Sequence, residues 1–216
     1  MPEPQPEPPP DQEGTPAVEN VLLLGLSAPA EDDPFGDLLL RALSVPGASG
    51  LRLVVSATPS VLARPGAAPV ASHPVAYALR QMAALADGLV VTAPESDAVP
   101  PASLRTLLDW LSWPAESSPL AGRPVAVMTT THDAGTSTDP YCEVERMLWS
   151  AGATVVGPRT VIGRADRALR GTEDGRVSID DPGAAVRSLF HLQRTAAEVR
   201  RNAGAPPAGG DRPWPL

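Results

Sequence analysis

The chain has 216 residues, 43% of them hydrophobic, which suits one α/β domain with tails, and its formal net charge is −8. Acidity without a basic stripe excludes nucleic acid as a partner class, and one cysteine excludes an internal disulfide or a multi-cysteine metal site. No run of about 18 apolar residues offers a membrane span, and the N-terminus lacks the basic and apolar regions of a secretory signal, so a cytoplasmic location is expected.

The charge is unevenly spread. Residues 1–19 carry five acids, Glu3, Glu7, Asp11, Glu13 and Glu19, and no base, and the remaining 20 acids face 17 bases. Every base is arginine. With abundant Ala, Gly and Pro, this reads as codon bias of a GC-rich bacterial genome rather than as an arginine-built site. Residues 1–17 are Pro- and Glu-rich and are expected to form a disordered or polyproline-like tail. A domain over 18–203 follows. Residues 204–216 form a second Pro/Gly-rich tail, whose Trp214 and Leu216 mark either a loose end or a short docking peptide.

Between the tails, strand and helix signals alternate. Val21–Leu26 reads as the first strand, Pro34–Leu43 as the first helix, with Asp33 as its cap, and Leu51–Ser56 as the second strand. Pro74–Ala86 is the second helix, with His73 as a capping or surface residue. Gly88–Thr92 is the third strand, Ala102–Ser112 the third helix, Val125–Thr130 the fourth strand and Tyr141–Ala151 the fourth helix. Thr154–Val156 and Gly183–Arg201 close the series as fifth strand and fifth helix. Such alternation implies a parallel sheet covered on both faces. Five strands suggest the order 2-1-3-4-5, in which ligands bind at the carboxyl edge.

That edge carries the informative motifs. After the third strand comes Pro94-Glu95-Ser96-Asp97, followed by Pro101, Leu104, Asp109 and Trp110. The segment resembles the flavin-contacting loop of the NADPH-dependent FMN reductases, which reads roughly P-E-Y-N, then Pro, Leu, Lys and Asp-Trp or Asp-Leu. Ser96 replaces the Tyr and Asp97 the Asn. Ala86-Asp87-Gly88-Leu89-Val90-Val91, Pro119-Leu120-Ala121-Gly122-Arg123-Pro124-Val125-Ala126 and Ser150-Ala151-Gly152-Ala153-Thr154-Val155-Val156 resemble further steps of the family pattern, so the likeness runs over about residues 20–200. It implies a flavodoxin-like three-layer α/β fold, FMN as cofactor and NAD(P)H as co-substrate, hydride transfer through the bound flavin, and pairing with a second copy or a related subunit beside the flavin. Trp110 and Trp113 of the third helix are offered for such pairing; with Trp149 they are core or subunit contacts.

The loop after the first strand is where the resemblance places the FMN phosphate. The family pattern there is roughly G-x-S-x-S-x-R-x-x-S-x-N. Gly25, Ser27 and Phe35 match; Pro29, Glu31, Pro34 and Gly36 replace Ser, Arg, Ser and Asn. Two donors have become prolines without an N–H, and Glu31, Asp32 and Asp33 add negative charge. The resemblance therefore leaves two readings: a flavin-dependent oxidoreductase with a diverged site, or a non-catalytic flavodoxin-like partner that has lost flavin. Further along, Thr129-Thr130-Thr131-His132-Asp133-Ala134-Gly135 follows the fourth strand, a hydroxyl- and Gly-bearing loop suited to a flavin edge or a pyrophosphate. Its His132 is either a proton shuttle or a solvent-facing loop histidine. The candidate cofactor-binding residues are Ser27, Pro94, Glu95, Ser96, Asp97, Thr130, His132 and Gly135. Cys142 reads as a helical packing residue, and no metal-ligand spacing occurs.

Overall fold

A computed structural model describes residues 20–27, 34–44, 50–56, 64–66, 69–95, 100–134, 143–172 and 175–203. Its central sheet is β1 (Val21–Ser27), β2 (Leu51–Ser56), β3 (Gly88–Pro94), β4 (Pro124–Thr130) and β5 (Thr154–Ile162), all parallel, in the order β2-β1-β3-β4-β5. The fold is the expected flavodoxin-like one. The helices are α1 (Phe35–Leu43), α2 (Pro74–Leu85), α3 (Ala102–Ser112), α4 (Glu143–Ser150), a single turn α5 (Ala165–Ala168) and α6 (Pro182–Ala203). Among the described residues no helix is long and apolar enough to cross a membrane.

Alternation along each strand splits the core in two. Leu89, Val91 and Ala93 of β3 pack with Leu79 of α2, Leu104 and Leu107 of α3 and Leu148 of α4. Val90, with Ala126 and Met128 of β4, faces Leu39 and Leu40 of α1 and Leu192 and Ala196 of α6. Because both faces are covered, the strands read as unbroken apolar runs.

Several local features differ from the sequence expectation. The fifth strand does not stop at Val156: it resumes after a register shift, with Val156 opposite Ala126 and Thr160 opposite Met128, and runs on to Ile162. Two extra residues bulge there, around a Gly157-Pro158 step that interrupts the strand pattern. A short antiparallel pair, β6 (Leu169–Gly171) and β7 (Val177–Ile179), precedes the last helix and gave no periodic signal at three residues each. His73 makes no side-chain capping bond; its ring packs on that of Trp110, with centroids 4.7 Å apart. Trp110 is fully buried within the chain and cannot meet a partner, whereas Trp113 and Trp149 are exposed. Arg80 of α2 closes the end of α3, its buried guanidinium donating to the carbonyls of Trp110 (2.8 Å) and Ser117 (2.6 Å). Both tails, Asp33 and Cys142 lie outside the described residues.

Candidate functional site

At the carboxyl edge the α1/α6 face of the sheet turns from apolar to hydroxylic. Ser27 ends β1 opposite Thr92 of β3, Thr130 ends β4 opposite Pro94, and Thr160 stands on β5. All four of Ser27, Thr92, Thr130 and Thr160 are buried. The start of α1 is pressed onto this layer. A Cβ on Gly36 would lie 2.9 Å from both Ser27 Oγ and Thr92 Oγ1, so only glycine fits this approach. Above it, the Phe35 and His132 rings pack edge to face, with centroids 5.2 Å apart and planes at 78°. That contact joins the first turn of α1 to the loop leaving β4.

The β3 and β4 exits are tied together. The Glu95 N–H donates to the Thr130 carbonyl at 2.7 Å. The β4 exit is tied in turn to the β5 exit: Thr131 N–H donates to the Ile162 carbonyl (3.0 Å), and the N–H groups of Arg164 and Ala165 donate to the carbonyls of Asp133 and Thr131. Thr130 Oγ1 and its neighbour Thr129 Oγ1 are buried and meet no hydrogen-bond partner among the described residues. A buried orphan hydroxyl costs free energy, and such orphans concentrate where a ligand supplies the partner.

Behind this edge lies an ion triad. Arg159 of β5 reaches Glu95 at 3.6 Å and Glu145 of α4 at 3.8 Å, all three side chains being largely buried. One guanidinium thus serves two carboxylates and fixes the β3 exit against the opposite wall. Sequence reasoning missed Arg159, because nothing local links a β5 residue to Glu95.

A second buried polar pair sits on the other side of β5. His191 of α6 has Nε2 2.6 Å from the Val156 carbonyl and Nδ1 3.0 Å from Thr160 Oγ1. A carbonyl only accepts, so Nε2 carries the hydrogen and Nδ1 accepts from the hydroxyl. Burial, aided by the nearby Arg194 charge and opposed by the Val156 hydrogen bond, lowers the His191 pKa.

The structure thus brings Ser27, Pro94, Glu95, Thr130 and His132 to one edge. Ser96, Asp97 and Gly135 lie outside the described residues. Among the described residues no cluster could hold a metal ion.

The edge divides in its fit to a flavin nucleotide. A flavin ring at this edge would meet fixed backbone at Glu95, the orphan Thr130 hydroxyl and His132. The described residues at the start of α1 offer less to a phosphate. Pro34 has no N–H, and the Gly36 position cannot carry the family's Asn side chain without displacing Ser27 and Thr92.

A family model described as NADPH-dependent FMN reductase matches residues 42–166. The match takes in the loops leaving β3 and β4 but begins after β1 and the loop that follows it. Among solved structures, the flavoenzyme NAD(P)H:(acceptor) oxidoreductase FerB from Paracoccus denitrificans is 15% identical, with 84% of this chain and 96% of that one covered and a TM-score of 0.62. An NADH:FMN oxidoreductase, EMOB, solved in its apo form, is 16% identical, with coverages of 84% and 89% and a TM-score of 0.53. A flavone reductase is 12% identical, with coverages of 85% and 64% and a TM-score of 0.53. At these identities the likeness is one of fold.

Proposed function

The chain belongs to the NADPH-dependent FMN reductase family, and from that premise we propose that it is a flavin-dependent NAD(P)H oxidoreductase whose flavin ring rests on the loops leaving β3 and β4. The observation that carries this reading is the pairing of a pinned Glu95 peptide with the buried, partnerless Thr130 hydroxyl at the sheet's carboxyl edge. Both lie inside the family match.

When bound, flavin supplies the hydride and electron chemistry, which is why the site needs no nucleophile of its own. The residues of this chain position and shield. The Glu95–Thr130 hydrogen bond holds two exits at fixed spacing, so polar backbone faces the ring edge without reorganisation. Thr130 Oγ1 gains the hydrogen bond it lacks. His132, packed against Phe35, brings a hydrogen-bonding imidazole to the mouth of the site. Arg159 keeps the Glu95 carboxylate turned to the protein interior and away from an electron-rich ring.

The test is anaerobic mixing of the protein with NADPH or NADH and added flavin. Catalytic bleaching of the oxidised flavin spectrum, lost when Thr130 is changed to Val and His132 to Ala together, is the expected result. If the purified chain neither alters the spectrum of added FMN or riboflavin nor speeds its reduction, the reading fails and the non-catalytic partner replaces it.

A further inference from the structure

We infer that the cleft between α6 and the carboxyl end of β5 is a binding site for a phosphorylated nucleotide, with Arg187 and Arg194 on the phosphates and Phe190 against the base. The cleft holds about 490 Å3 and is walled by Ala134, Thr160 and Val161 as well as by these three α6 residues. That volume lies in the usual range for small-molecule sites.

Residues 187, 190 and 194 are spaced three and four apart, so they share one face of α6. On a protein of net charge −8 this face carries two guanidiniums that form no ion pair among the described residues. Arg41, Arg146 and Arg170, by contrast, each reach an acid. The acids nearest in sequence are Asp181, which accepts from the N–H groups of Gly183 (2.7 Å) and Ala184 (3.1 Å), and Glu198, four residues past Arg194, which pairs with Arg201. Arg159 also borders the cleft, but its charge is spent on Glu95 and Glu145. Two like charges opening on one hollow attract an anion jointly. About 10 Å of helix separates them, a span that suits two phosphate positions on one ligand.

Between the arginines Phe190 keeps 64% of its surface exposed. An aromatic face beside guanidiniums is what a planar base needs for stacking while its phosphates are held by planar, bidentate donors. On the floor, His191 has both ring nitrogens engaged, by the Val156 carbonyl and by Thr160 Oγ1, and burial favours its neutral form. Ala134 belongs to the β4 exit loop, so the cleft adjoins the proposed flavin edge. Under the reading above, on which this last identification rests, the nucleotide is the phosphate-bearing half of the NAD(P)H donor.

The experiment measures ADP and inorganic pyrophosphate binding by calorimetry, without flavin, to the full chain and to its R187A/R194A and F190A variants. Both positions of the first variant are exposed and tolerate Ala in a helix. ADP binding weakened at least about tenfold in R187A/R194A is expected, since each charge-assisted contact is worth about a factor of ten. F190A should weaken ADP but not pyrophosphate. In turnover the double variant should raise KM for NADPH with kcat held. No ADP binding at millimolar concentration, or binding indifferent to both arginines, overturns the site whether or not flavin is reduced. Arginine-dependent ADP binding in a chain that reduces no flavin keeps the site and removes the reductase reading alone.

Discussion

Gly36 sets how closely α1 approaches the sheet. Its hypothetical Cβ meets two hydroxyls at 2.9 Å and Thr92 Cβ at 3.3 Å, and these belong to short side chains on rigid strands that cannot swing away. Gly36→Ala is therefore expected to cost about 1–3 kcal/mol, read from the urea midpoint. Adding Ser27→Ala removes one of the two obstacles and should recover part of that loss; a purely additive double variant would contradict the contact. His191 gives a second residue-scale expectation. Its folded pKa lies below the ordinary value of about 6.5, so the unfolded chain takes up the proton first. Stability from this group is present above about pH 6.5 and is lost as pH falls through it. Melting temperature should drop between pH 7.5 and 5.5 in the native chain, and this slope should flatten in His191→Gln. An equal slope in both proteins would remove His191 as its source.

At the scale of elements, the strands were legible because burial on both faces writes them as apolar runs, as in Gly88–Thr92 and Val125–Thr130. The sheet order followed from strict alternation with helices. The second half of β5 was not legible, since Gly157-Pro158 breaks the pattern where the bulge lies. The hairpin β6–β7 is too short to show a period. The same contrast holds for the site. Ser27, Glu95 and Thr130 could be placed because they sit at strand ends, where topology alone puts ligands. The Phe35–His132 contact and the Arg159 triad join residues far apart in the chain, and no local spacing encodes them. The triad also makes a prediction. Arg159→Met leaves two largely buried carboxylates without their shared cation, at a cost of about 3 kcal/mol in denaturant unfolding at pH 7. Changing Glu95 and Glu145 to Gln in the Arg159→Met background removes the unpaired charges and should recover part of the deficit. A deficit unchanged in that triple variant would mean that Arg159 acts through packing alone.

Across the whole molecule, net charge opposes the one part of a flavin nucleotide for which the described residues of the edge offer no cradle. The chain carries −8, and Glu31, Asp32 and Asp33 immediately precede α1 in sequence. A phosphate monoester brings a further charge of about −1.5 to −2 at pH 7. Riboflavin offers the same ring without it. At about 10 mM salt the screening length is about 30 Å and the whole acidic surface acts on the phosphate; at about 150 mM it is about 8 Å and only near charges remain. FMN is therefore expected to bind more weakly than riboflavin at low salt, and the gap should close several-fold as salt rises, measured by quenching of flavin fluorescence. ADP at the α6 cleft should behave oppositely, because two guanidiniums at contact distance outweigh a distant, spread charge, and screening weakens them. FMN affinity that instead exceeds riboflavin affinity and falls steeply with salt would reveal a cationic phosphate cradle at the start of α1, contrary to what Pro34, Gly36 and the acids before them dictate.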